Sequence, residues 1–385
     1  MRIVTVIMFV SLISCTHMSE RRLNSASILI MPTLIDENKL GTQNKVPSLS
    51  QIFTLSNEQQ SHFLEYFNSQ EIKNINPNLR VYKYLQNRLT NFNNYADTLI
   101  ASESLNQGSG NCLSLAILTK SLTMLTNIPI QYEIVETAPI YQMSGDVLLV
   151  SKHIRTTLLH NSNTINGRAK TSQKDISIDY YPTDGELSLK TISENEFYSM
   201  YYTNIAADYL TYGNNEEVYW FLKKALELYP KNLLAVNMMG IVHKRLGYFD
   251  LSEKLYLYGL SLDANDMTIL NNYHALLKRQ NRKQEAQAIK LKLKKHVTNN
   301  PFYWIELADN AYALEDHSLA IKYYKKAQSI AHYLHQPYAG IAQSKKQQGK
   351  IKAARVAINA AIKNLHTQDS REKFKDKYQQ ILLSL

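Results

Sequence analysis

The sequence predicts an α+β domain followed by an all-α repeat solenoid. Three observations carry that reading. Helices give way to strand-like stretches between about residues 55 and 195, strands then disappear, and from residue 199 the chain repeats every 34 residues. At 385 residues, 44% of them hydrophobic, the chain suits two or three domains with ample core. Only 12 Gly, 9 Pro and 20% charged residues exclude a disordered or collagenous chain. Two cysteines exclude a disulfide framework and any Cys-rich zinc module. The formal charge is +10, but basic residues occur along the whole chain and no nucleic-acid-binding module is recognisable, so nucleic acid is not an expected partner.

The first element is a leader. Arg2 precedes an apolar run, Ile3 to Ile13, too short to span a bilayer as a mature helix. It ends in Leu12-Ile13-Ser14-Cys15, which resembles the lipobox of bacterial lipoproteins. That resemblance implies removal of residues 1–14 and lipidation of Cys15, hence membrane attachment through the N-terminal lipid. Thr16, in place of Asp, implies an outer-membrane destination within the cell envelope of a Gram-negative host. Residues 15–54 are polar, apart from Ile28-Leu29-Ile30-Met31, and read as a tether.

The α+β domain is expected at 55–195. Phe63, Leu64, Tyr66 and Phe67 predict one helix, and Val81, Tyr82, Tyr84, Leu85 and Leu89 a second. Gly108-Ser109-Gly110-Asn111 interrupts the chain before a strongly apolar helix, Cys112 to Leu125. Two strands are predicted, Asp146 to Leu159 and Ile176 to Tyr181, with Asn166-Gly167 as a turn signal between them.

With Cys15 lipidated, Cys112 is the one remaining thiol, and it opens a helix. Sulfur there feels the positive end of the macrodipole and meets unpaired backbone N–H groups, which favour thiolate and can stabilise an oxyanion. The segment Gly110-Asn111-Cys112-Leu113-Ser114-Leu115-Ala116 resembles the nucleophile segment of the bacterial transglutaminase-like superfamily, related in fold to papain-type cysteine peptidases. The resemblance covers about 100–140 residues. It implies a Cys on a helix, a His on a following strand and an Asp on the next: Cys112, His153 in Ser151-Lys152-His153-Ile154-Arg155, and Asp179 in Ile178-Asp179-Tyr180. His153 would serve as base and acid, and Asp179 would orient its ring. A hairpin centred on Asn166-Gly167 pairs residues whose numbers sum to 333, placing His153 opposite Tyr180. Asp179 then needs a bulge or a longer loop to share the histidine's face. His160, Asp175 and Asp184 are weaker alternatives, the two aspartates reading as turn residues. Gln107 is a possible oxyanion donor.

Units starting at 199, 233, 267, 301 and 335 align without gaps, and the array runs to 385. Position twenty is Val218, Ser252, Ala286, Ala320 and Ala354; position twenty-seven is Ala225, Gly259, Leu293, Ala327 and Ala361. These small or modest residues sit where two helices approach closely. With Pro230 after the first unit, the pattern is similar to the tetratricopeptide repeat. The third unit is degenerate, with Lys290 and Leu293 at core positions. Stacked hairpins are held by nearest neighbours, so residues 196–385 are expected to fold without the preceding domain. Inner positions twelve and thirteen include Lys244-Arg245 and Lys278-Arg279, a candidate basic patch for an acidic protein or peptide ligand in the groove.

Gly108-Ser109-Gly110 lacks the lysine of a phosphate loop, and His332 and His335 have no further ligand fixed by spacing, so neither cofactor nor metal is expected. Two functions remain open. One is an envelope-anchored thiol enzyme acting on amide bonds, as peptidase, amidase or acyl transferase, with the repeats presenting substrate. The other is a non-catalytic assembly lipoprotein binding protein partners through the repeat groove.

Overall fold

A computed structural model describes residues 46–385, except 89–90, 93–96, 145–146, 161–173, 180–188, 297–299 and 367. The described chain begins with three helices, α1 (Leu49–Phe53), α2 (Asn57–Asn68) and α3 (Pro77–Arg88), then β1 (Asn91–Phe92), α4 (Ala101–Gln107), β2 (Ser109–Gly110) and α5 (Cys112–Thr126). Four strands follow: β3 (Ile130–Ser144), β4 (Val147–Leu158), β5 (Ile176–Ile178) and β6 (Leu189–Ile192). Helix α1 corrects the tether's extent. Ser48 closes a capping box on it, and Ile52, Phe53 and Leu55 are buried in the core, so folded chain begins before residue 54.

The strands form one antiparallel sheet in the order β5-β4-β3-β6. The strands read from sequence as Asp146–Leu159 and Ile176–Tyr181 correspond to β4 and β5. The sequence reading passed over β3, the strand between β4 and β6, and β6 itself. In β3 the alternation is interrupted, because the register with β4 shifts between Val135 and Ile140, a stretch that contains Pro139. Proline has no N–H to give to a ladder, and the shift accommodates it. On β4, alternation puts Ile154, Thr156 and Leu158 on the core face and His153, Arg155 and Thr157 on the other.

Beyond the sheet the described chain is helical: α6 (Glu194–Thr211), α7 (Asn215–Leu228), α8 (Leu233–Arg245), α9 (Phe249–Leu262), α10 (Met267–Arg279), α11 (Lys283–His296), α12 (Pro301–Ala313), α13 (His317–Ile330), α14 (His335–Gln347), α15 (Ile351–Lys363) and α16 (Gln368–Leu383). The helices α8, α10, α12 and α14 begin at 233, 267, 301 and 335, the four later unit starts read from the sequence. Only α6 begins earlier than its unit, at Glu194, because Ser193 caps it there. Every position-twenty residue is buried. At position eight, a Cβ on Gly240 would lie 2.5 Å from the Tyr256 ring, which is why that site is small. This is a tetratricopeptide-type solenoid. First helices of neighbouring hairpins touch one another (α6 with α8, α8 with α10, α12 with α14) and form the inner layer. α7 and α9, and in the last two hairpins α13 and α15, lie outside them, while among the described residues no comparable contact joins α10 or α11 to α12.

The buried core does not break at residue 195. A single cluster runs from Ile52 through α5, the sheet and α6 to Tyr258 of α9. Phe197 of α6 stacks on Tyr132 of β3 with centroids 4.1 Å apart, and Tyr202 donates its hydroxyl to the Pro47 carbonyl at 2.7 Å. A second cluster holds α10 and α11, and a third holds α12 to α16. The separation of those two falls beside the degenerate unit. Lys290 is exposed where other units bury a large apolar side chain.

Candidate functional site

The site is built on the start of α5. Gly108 ends α4 in the left-handed region (φ 62°), and a Cβ there would meet the Arg88 carbonyl at 2.9 Å, so only glycine fits. Asn111 caps α5. Its Oδ1 accepts from the Leu113 and Ser114 amides at 3.1 and 3.0 Å, while its Nδ2 donates to Thr98 Oγ1 at 2.7 Å. Ser114 donates to the Asp97 carbonyl and accepts from the Leu99 amide, tying the 97–99 segment to the same helix turn. Cys112 is thereby fixed at the first helical position, half-buried and in no disulfide.

His153 projects from β4 and is 7% exposed. Its Nε2 lies 2.9 Å from Asp179 Oδ1, and the Cys112 thiol is close enough to the ring to favour its charged form. Burial alone would lower this histidine's pKa. The hydrogen bond to Asp179, together with the nearby Cys112 and the charges of both groups, outweighs burial and pushes it up to about 9. At neutral pH the ring therefore carries both protons.

The register explains how Asp179 arrives. β4 and β5 pair Thr156 with Ile178, Thr157 with Ser177 and Leu158 with Ile176, a sum of 334 rather than 333. The connection is longer by one residue than the symmetric hairpin, and this places position 179 across from Arg155. Asp179 then shares a face with His153 without a bulge. The turn signal Asn166-Gly167 lies outside the described residues.

The structure thus brings Cys112, His153 and Asp179 together. Of the alternatives, Asp175 accepts from the His160 amide at 2.7 Å and belongs to the loop base, and Asp184 lies outside the described residues. Gln107 is exposed and its Oε1 accepts from the Ser109 hydroxyl at 3.4 Å. Cys15 lies outside the described residues. Among the described residues no helix is long and apolar enough to cross a membrane, and no group of side chains is arranged to hold a metal. A cleft of about 450 Å³ lined by Leu49, Phe53, Met124 and Tyr198 lies along the C-terminal half of α5, away from the thiol.

The four basic residues proposed for the repeat groove do not form one patch. Lys244 is buried, and Arg245 donates to the Leu210 carbonyl at 3.1 Å, closing the end of α6. Arg279 lies 5.3 Å over the Phe249 ring, leaving Lys278 as an exposed charge on α10. Equivalent repeat positions received different neighbours, and packing claimed three of the four.

Two features escaped sequence reading. Beside His153, buried Glu133 accepts from Arg155 Nε and Nη2 and from Thr157 Oγ1, clamping β4 to β3. Asn204 of the first repeat helix donates to Thr98 Oγ1 at 3.5 Å, so α6 reaches the network that caps the thiol helix. The partners are 22 and 106 residues apart, and no local pattern announces them.

No family model and no curated protein matches the chain. Among solved structures, similarity is found to MamA (18% identity, 46% of this chain and 94% of that one, TM-score 0.26) and to PilF of Pseudomonas aeruginosa (19%, 50% and 90%, TM-score 0.32). YrrB, described as a TPR protein with an unusual peptide-binding site, matches at 12% identity over 46% of this chain and 92% of its own, TM-score 0.25. Scores this low carry nothing about activity or partners.

Proposed function

We propose that the chain is a lipid-anchored envelope protein, attached through Cys15, whose transglutaminase-like domain uses Cys112, His153 and Asp179 to cleave or transfer at an amide bond. The supporting observation is the imidazole held between a helix-start thiol and a carboxylate, with a pKa near 9. In the first step Cys112 Sγ, a thiolate whose proton already sits on the His153 ring, adds to the amide carbon, and the oxyanion is met by the Cys112 amide. His153 gives that proton to the leaving nitrogen, the C–N bond breaks, and a thioester remains. In the second step water or an amine attacks the thioester, His153 takes its proton, and sulfur leaves.

Iodoacetamide labelling of Cys112 tests this. The wild-type thiol is expected to react at least tenfold faster near neutral pH than the same thiol in His153→Ala, with Asp179→Asn in between. Equal rates in all three proteins would refute the thiol site.

The second reading is a scaffold whose repeats bind protein partners, favoured by ten repeat helices, α6 to α15, against one four-stranded and one two-stranded sheet among the described residues. Partner capture unchanged by Cys112→Ala, with a thiol no more reactive than a generic one, would select it.

A further inference from the structure

The chain's excess positive charge is confined to its last quarter. Residues 283–385 hold 18 Lys and Arg against 8 Asp and Glu, an excess of ten, which equals that of the whole chain. Residues 1–282 are therefore balanced, and the basic character belongs to the second half of the solenoid.

Within that half the charge lies on the second helices of the hairpins. α11, α13 and α15 together carry ten lysines and one arginine against one acidic residue, Glu285, which Arg282 already holds at 2.6 Å. α13 and α15 carry no acidic residue at all. Lys290, Lys292, Lys322, Lys325, Lys352 and Arg355 are exposed, and among the described residues no carboxylate pairs with them. Lys322 and Lys325 are one helical turn apart and share a face, as do Lys352 and Val356. Apolar side chains stand among these charges. Val356 is 72% exposed and Leu291, between Lys290 and Lys292, is 52% exposed.

We infer that this outer face of the solenoid docks on a bilayer surface rich in anionic phospholipid. The charge is spread over the second helices of the last three hairpins, and α13 and α15 present it within one packed unit rather than in the groove. Lysine, a flexible point charge, outnumbers arginine ten to one, which suits a diffuse field of headgroups better than the bidentate recognition of particular carboxylates on an acidic protein. Exposed Val356 and Leu291 can enter the interface between headgroups, as apolar side chains on basic surfaces do. Each basic residue near such a surface adds to the attraction, so a face of this size gives strong, salt-sensitive adsorption. The inference is independent of the thiol site.

Sedimentation of the full chain with vesicles tests it. Phosphatidylcholine vesicles are compared with vesicles of equal parts phosphatidylcholine and phosphatidylglycerol, so that adsorption through the apolar N-terminal segment contributes to both. The anionic vesicles are expected to hold at least tenfold more protein at low salt, with the difference abolished at high salt. The combined Lys322→Glu, Lys325→Glu, Lys326→Glu and Lys352→Glu variant is expected to bind both vesicle types equally. The corresponding four Lys→Gln changes, gentler on folding, are expected to lower the preference by at least tenfold. Equal binding to both vesicle types, or a preference that survives the Gln set, would overturn the inference. Binding to soluble poly-L-glutamate without binding to anionic vesicles would also overturn it, in favour of an acidic protein partner.

Discussion

His153 is held between two groups that favour its charged form, and that arrangement makes it a reporter for the site. Its pKa of about 9 lies above the 6.5 of a free imidazole, so the stability it contributes is complete below about pH 6.5. That contribution is lost as pH rises through about 9. An NMR titration of His153 is expected to show a midpoint near 9, and Asp179→Asn is expected to move it down by at least one unit, because the carboxylate no longer stabilises the cation. A midpoint near 6.5 in the wild type would mean that the ring does not sit between thiol and carboxylate in solution. The residue types of this site were legible in the sequence, since a lone Cys after Gly-Ser-Gly-Asn, a strand histidine and a later aspartate are each local features. What was not legible was the pairing sum of β4 and β5, which depends on how many residues the connection takes up. A single residue decides which face Asp179 occupies.

Among the elements, α16 shows a dependence that helical periodicity alone does not reveal. It packs on the last hairpin through Phe374 and Tyr378, with His335 of α14 buried against both; its Nδ1 is 2.7 Å from the Tyr378 hydroxyl. Burial, and secondarily the positive charge of His366, lower the His335 pKa to about 4. The folded state therefore disfavours protonation. Stability from this contact is complete above about pH 6.5 and declines as pH falls toward 4. Hydrogen exchange of α16 is expected to speed up at least tenfold between pH 7.5 and 5 relative to α12, once intrinsic exchange is corrected for. His335→Phe is expected to remove that acceleration, and a pH response that persists in this variant would place the cause elsewhere. The repeat helices themselves were the most readable part of the chain, because a 34-residue period repeats the same packing requirement at each unit. The strand β3 was the least readable, because Pro139 and the register shift break its alternation.

At the scale of the whole molecule, the solenoid is not an appended module. The first two hairpins share one core with the α+β domain, through contacts such as Phe197 on Tyr132 and Tyr202 on Pro47. The expectation that residues 196–385 fold independently therefore needs correcting, since a cut at 195 would expose Phe197, Tyr201 and Tyr202. A fragment of residues 300–385 has a core of its own and is expected to melt cooperatively. The 196–385 fragment is expected to lose ordered structure in α6 and α7, measured by dispersion of amide NMR signals. Full dispersion there would show that nearest-neighbour stacking suffices without the sheet.

Sequence alone determined the repeat period, the unit starts from 233 onward, the helix that opens at Cys112 and the three residue types that meet there. These are read from local periodicity, from capping residues and from punctuation by glycine. Tertiary structure decided which face of β4 looks at Asp179, which of the Lys-Arg pairs were consumed by packing, and where one core ends and the next begins. Each of those depends on the register or burial of segments tens of residues apart, and a one-residue change in loop length or one buried aromatic is enough to alter it.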